Sequence, residues 1–442
     1  MSASEFFGED VLLTTESAKR IYARVKDLPI IDYHCHLDRK VLASNGGFSD
    51  IGELWLKEDH YKWRAMRLCG VEERFIMGDA SWREKFLHYA EILPQLAGNP
   101  LYYWTHLELR RIFGIEEPLH EKSAERIYAA ANKKLKGLTV KNLLKMFQVE
   151  YIATTDDPCD EITFFGDGQT VVAPTFRPDK VFDLEDTYLE KLGKVCGFDI
   201  GSLADLQRAL GMRLDYFVQC GCKIADHGFE RFPADYAEKA QAEKLFDRRQ
   251  SLTAEENDAL KGYLLLFLAR EYAARDMLMQ LHFSVLRNVN PVMFARCGAD
   301  SGFDIIGEKQ QIKDVLAFFS HLGGTRPKIV LYALNSAALK ELACLTGAFP
   351  NVMIGPAWWF NDSVCGIREN LSVIAEYAAL GTNFGMLTDS RSFSSYVRFD
   401  FFRRILCDYL GNLVEKGEYD EFSAVSVAEN ISYYNIKRAL QI

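Results

Sequence analysis

Residues 328–358, KIVLYALNSAALKELACLTGAFPNVMIGPAW, read as strand, helix, strand. KIVLYAL (328–334) and VMIGPAW (352–358) are apolar runs of strand length. Between them SAALKELACL (336–345) carries its apolar residues at helical spacing, and Gly347 and Pro350 punctuate the turn into the second strand. Such a unit is a right-handed crossover between parallel strands. The pattern continues downstream, where IRENLSVIAEYAAL (367–380) reads as a helix stopped by Gly381 and leads into NFGMLTD (383–389). Upstream lie LPIIDYH (28–34), VEYIATT (149–155), TVVAPTF (170–176), GCKIADH (221–227) and MLMQLHF (277–283). These runs are continuously apolar rather than alternating, as in a parallel sheet covered on both faces by helices. Eight of them predict an α/β fold, a (β/α)8 TIM-like barrel.

The first two strands are about 110 residues apart, and 39–148 reads as a helical insertion, with helices expected over 81–93 and 121–136. The link 156–169 shows no helix. No internal repeat or flexible linker interrupts the chain, so 1–442 is expected to be a single barrel domain carrying that insertion. A hydrophobic content of 48% with 26% charged residues excludes a disordered chain. The net charge of −10, without a basic run, leaves nucleic acid and anionic membranes no electrostatic footprint. No apolar run reaches spanning length and the first twenty residues lack a secretory pattern, so a cytoplasmic location is expected. Ten scattered cysteines do not form a structural zinc spacing. The oligomeric state stays open, a homo-oligomer included.

Barrel enzymes carry their chemistry at the C-terminal ends of the strands. The first run ends in His34-Cys35-His36, and in extended chain residues i and i+2 face one side about 6.6 Å apart, with Cys35 turned away. The fifth ends in His282, the eighth in Asp389 and the fourth in Asp226-His227. His34, His36, His282 and Asp389 are therefore expected to converge on a divalent ion, with zinc or another first-row metal suited to the donors. His227 is left open as a ligand, with Asp226 as its supporting partner. The sixth run ends at Asn335 without a histidine and Lys223 lies inside the fourth run, so one ion is expected rather than two.

Arg177 follows the third run and Arg391 the eighth, where guanidinium forks can grip a carboxylate unless nearby acids such as Asp179 or Asp389 engage them. In an acidic chain they imply a localised anion site. DHYKWR (59–64) places His60 and Tyr61 on the insertion, either covering the pocket or packing within an aromatic-rich layer. Trp358 and Trp359 offer a flat face to a sugar, or plug the mouth.

The chain resembles the uronate isomerase (glucuronate isomerase) family of the amidohydrolase superfamily. The likeness rests on IIDYHCHLD (30–38), ELWLKEDHYKWRAMRLCGV (53–71), PTFRPDK (174–180), ADHGF (225–229), MQLHFSVLRN (279–288), GPAWWFND (355–362) and GMLTDSRSFSSYVRFDFFRRILC (385–407). It implies interconversion of D-glucuronate with D-fructuronate and of D-galacturonate with D-tagaturonate. Carried over by motif, His34, His36, His282 and Asp389 are metal positions, while Arg177, Arg391, His60, Tyr61 and Trp358 are substrate or proton-transfer positions. Asp389 is the expected base at C2, and Tyr61 the proton carrier at the oxygens. The chain departs from the family pattern at Phe283-Ser284-Val285 and Phe399-Asp400-Phe401, which bears on substrate preference. A hydrolase on the same scaffold and a non-catalytic sugar-acid binder are the competing readings. Ketose formation discriminates against the first, and metal-dependent turnover against the second.

Overall fold

The computed structural model describes residues 6–162 and 168–442. Among the described residues ten strands form: β1 (Ile30–Asp32), β2 (Val149–Ala153), β3 (Val171–Ala173), β4 (Thr175–Phe176), β5 (Ile224–Gly228), β6 (Leu278–Phe283), β7 (Val285–Leu286), β8 (Ile305–Ile306), β9 (Lys328–Ala333) and β10 (Val352–Ile354). Two sheets are wholly parallel, ordered β1-β2-β3 and β10-β9-β6-β5-β4, and β7 pairs antiparallel with β8. All six residues of β6 are buried, as a strand covered on both faces requires.

The third predicted strand is divided at Pro174. Proline has no N–H for a ladder, so Val171–Ala173 pair with β2 while Thr175 and Phe176 pair with β5. Across the break, Asp156 N donates to Thr175 O at 3.0 Å and Arg177 N to Asp156 O at 2.9 Å, which keeps the second and third runs side by side. The expected link 156–169 falls partly on residues 163–167, outside the described residues.

The eighth run forms no strand. Gly385 and Asp389 both have positive φ, +67° and +45°, so regular ladder geometry is lost. At Gly385 any Cβ would lie 2.3 Å from Ile431 O. Individual ties replace the ladder on both flanks. Asn383 Nδ2 donates to Ile354 O of β10 at 2.8 Å. On the other side Thr388 donates to the buried Asp32 through N and Oγ1, Asp389 N to His34 O at 3.1 Å, and His36 N to Ser390 O at 2.9 Å.

The helix expected over 336–345 forms as a 3-10 turn, Ser336–Ala338, followed by Leu339–Ala348. The helix placed at 367–380 spans Val364–Tyr377, begun by the Ser363 cap, and ends before Gly381. Gly381 sits instead in a separate turn, Leu380–Thr382, so it is not the stop residue.

Between β1 and β2 the chain is helical, including Trp82–Ile92 and Ala124–Leu135 close to where periodicity placed them. These helices share one apolar core with the N-terminal helix Glu16–Val25 and the long Val397–Glu415 helix. Phe399 and Phe401 join that core, while Asp400 is bound to Arg404, Arg111 and Tyr22. Among the described residues no helix is long and apolar enough to cross a membrane.

Candidate active site

Beyond β1 the chain bends at His34, and the side chains of His34 and His36 turn to the same side. Cys35 faces the other way, donating its thiol to Ala153 O. Both imidazoles direct Nε2 at one oxygen, Asp389 Oδ1, each at 3.1 Å. The other oxygen accepts from Trp358 Nε1 at 2.9 Å. Burial alone would raise the Asp389 carboxyl, but the two histidines outweigh it and hold it well below the usual carboxylate range. Burial pushes His36 down to about 4, favouring the neutral imidazole with a lone pair free for donation.

A second group adjoins the first through His34. On β5 the alternation of side chains sends Asp226 inward and His227 outward. His227 ends against the Tyr272 hydroxyl at 3.0 Å, so it takes no part in the cluster, and Asp226 is not its supporting partner. Asp226 instead accepts from His282 Nδ1 at 2.7 Å, contacts Arg177 at 3.0 Å and faces His34 Nδ1 at 3.7 Å. Asp226 is the residue whose place sequence reasoning missed.

Donor atoms of His34, Asp226 and His282, and those of His34, His36 and Asp389, lie within 4.8 Å of one another in each trio. With Nδ1 of His282 bonded to Asp226, its Nε2 is left buried and without a hydrogen-bond partner. A carboxylate behind an imidazole, with the far nitrogen open, is the usual support of a metal-ligating histidine. Each trio therefore fits a divalent cation, and the two share His34.

Arg177 is more constrained than a free fork. Its Nε donates to Asp179 Oδ2 at 2.8 Å, and its other arm meets Asp226. Asp179 also accepts from Gly228 N at 3.2 Å. The guanidinium lies so close to Gly228 that a Cβ there would stand 2.4 Å from Arg177 Nη2. Gly228→Ala is expected to push the guanidinium aside and lower kcat/KM about 10²-fold, as an ångström-scale misplacement does. Steady-state kinetics with bound metal measured in parallel checks this; a kcat/KM within twofold of wild type would show that the placement is dispensable.

The rim comes from the helical layer. Asp59 caps the helix His60–Leu68, accepting from Tyr61 N and Lys62 N. His60 Nδ1 contacts Arg391 Nη1 at 3.2 Å, and burial, then Arg391, lowers its pKa. Tyr61 is half-buried with its hydroxyl oxygen shielded, its ring lies 4.9 Å from the Arg398 guanidinium, and burial raises that hydroxyl well above the ordinary tyrosine value. Trp358 lies 4.7 Å from the His282 ring, and its N–H is committed to Asp389. Trp359 stacks on Phe360 and meets the edge of His60. Asn335 caps the 336–338 turn, and Lys223 directly precedes β5. A cavity of about 440 Å³ opens at His36 and Arg391, rimmed by Asp38, Asp50 and Glu53.

A model of the glucuronate isomerase family matches residues 3–440. The uronate isomerase of Shouchella clausii is 42% identical, the match covering 98% of this chain and 97% of that one. That of Caldanaerobacter subterraneus is 39% identical over 99% of this chain and 100% of the relative. Among solved structures, uronate isomerase from Thermotoga maritima superposes with a TM-score of 0.95 at 34% identity, covering 98% of this chain and 99% of that one. Glucuronate isomerase from Caulobacter crescentus gives 0.93 at 27% identity, with 98% and 97% covered. The parallel-stranded scaffold, the histidine–carboxylate cluster and a likeness that runs the length of the chain agree: this protein belongs to the glucuronate isomerase family and is an isomerase acting on uronates.

Proposed function

We propose that the enzyme interconverts D-glucuronate with D-fructuronate, and D-galacturonate with D-tagaturonate, by proton transfer between C2 and C1. The observation that carries this is the meeting of His34, His36 and Asp389 beside Arg177 and Arg391. His34, His36, His282 and Asp389 would hold one divalent ion, zinc by the donor chemistry. Such an ion supplies a Lewis acid that polarises the sugar oxygens and acidifies C2, worth several kcal/mol.

The rest falls to side chains. Asp389 takes the C2 proton and returns it to C1. Tyr61 hands its hydroxyl proton to O1 and recovers one from O2, so that the aldehyde and the C2 hydroxyl become a C1 hydroxyl and a ketone. Its high pKa keeps that proton in place until an oxygen gains charge. Arg177 and Arg391 hold the distal carboxylate, His60 steers the hydroxyls of the open chain, and Trp358 faces the sugar carbons while fixing Asp389. Binding energy from the carboxylate then serves orientation at C1 and C2.

In this reading 1–442 is one barrel domain of the amidohydrolase (β/α)8 type, with the irregular segment 383–389 closing it where an eighth strand would lie. The insertion 39–148 lends it His60 and Tyr61, and the protein works in the cytoplasm on small sugar acids. The test is ketose formation from D-glucuronate and D-galacturonate after metal removal and zinc reconstitution. Turnover should vanish with the metal and return near one equivalent; full turnover by metal-free protein would defeat the assignment.

A further inference from the structure

The excursion between β6 and the helix Ile312–Leu322 reaches Arg391 at the rim. Its base is the β7–β8 pair, with Gly307 N bonded to Ser284 O, and its far part is tied to the helix His60–Leu68 by Arg67 Nη1 donating to Ser301 O. At its tip Asp300 has φ +57°. Asp300 Oδ2 lies 3.0 Å from Arg391 Nη2, and Oδ1 lies 3.7 Å from Arg287 Nη1. Arg391 contacts His60, and Arg287 lies 5.6 Å from the Trp359 ring centre, so both arginines border the rim already described. Arg287 is also paired at 3.1 Å with the buried Asp304.

Two guanidiniums therefore meet two carboxylates, and the group is neutral. Taking Asp300 out of it leaves one net positive charge beside His60, which one carboxylate restores. A uronate has one carboxylate to offer. We infer that Asp300 is an internal stand-in for the substrate carboxylate, seated between Arg287 and Arg391 in the free enzyme and exchanged for the sugar acid on binding. The inference rests on reading Arg391 as a holder of the substrate carboxylate and adds Arg287 to that seat. The side chain of Asp300 is half exposed, so it can swing outward without unpacking the core. The exchange replaces one ion pair with another, which keeps the net positive charge of the seat from standing unneutralised or capturing stray anions. The cost is competition with substrate.

The competition is measurable. Asp300→Asn removes the charge and keeps a residue that tolerates positive φ. KM for D-glucuronate and D-galacturonate should fall about two- to fivefold, the factor expected for losing a partly exposed ion pair. Asp300→Ser should give the same fall, and Asp300→Glu should restore a KM near wild type. Arg287→Gln should raise KM. An unchanged or raised KM in both Asp300→Asn and Asp300→Ser would overturn the inference, because it would make Asp300 a support for Arg391 rather than its competitor. Absence of ketose formation from either uronate by the wild type would instead overturn the reading on which it rests.

Discussion

Asp389→Asn lowers kcat for D-glucuronate by about 10²–10⁴-fold, the span lost when a positioned base is removed. The argument is geometric. The asparagine keeps the shape and can still accept from Trp358, but it cannot take a proton from carbon. It also loses the charge that draws His34 and His36 to Oδ1. Turnover measured at saturating zinc, with bound metal quantified in the same samples, separates loss of the base from loss of the ion. If turnover stays near wild type while metal content is unchanged, another group removes the C2 proton.

The second large effect is on stability. Asp226 is fully buried and neutralises Arg177 while fixing His282 and facing His34. Asp226→Asn leaves Arg177 with only Asp179 and offers NH₂ where a cation and two imidazoles need an acceptor. Breaking a buried ionic group in this way costs about 3–5 kcal/mol, read as a lower denaturant midpoint for metal-free protein. Adding Arg177→Met should recover part of the loss, because the unpaired buried charge goes with it.

The pH dependence has a definite sign. Burial opposes ionisation of Asp226, but Arg177 and the histidines hold its carboxyl well below the ordinary value. Its stabilisation is therefore complete above the unfolded value near 3.9 and is lost as pH falls below about 4. The wild type should show a steeper acid decline than Asp226→Asn. A midpoint shift worth less than about 1 kcal/mol, or parallel acid limbs, would mean that the group is not held by Asp226.

Much of this was legible from spacing alone. His34-Cys35-His36 is read from the two-residue repeat of extended chain, and His282 follows from its place at the end of a continuous apolar run. Asp226 was harder. Period-two logic says that Asp226 and His227 face opposite ways, but not which faces in; that depends on register with β6, where Asp226 pairs with Gln280. NFGMLTD has the apolarity of a strand, yet Gly385 and Asp389 take conformations that only packing against Ile431 and the His34 backbone explains. Asp300 lies in an irregular excursion with no periodicity to place it, so its meeting with Arg391, 91 residues away, is a purely tertiary fact.

The segment carrying Asp389 is stitched rather than woven. Asp32, Asn383 and Arg398 each hold it by a separate bond, to Thr388, to Ile354 and to the Thr388 carbonyl. A woven strand can shift only by carrying its neighbours along, whereas a stitched one can be re-aimed one thread at a time. Divergence in the chemistry at this mouth can therefore proceed by trading single anchors, leaving the parallel pairing on either side untouched.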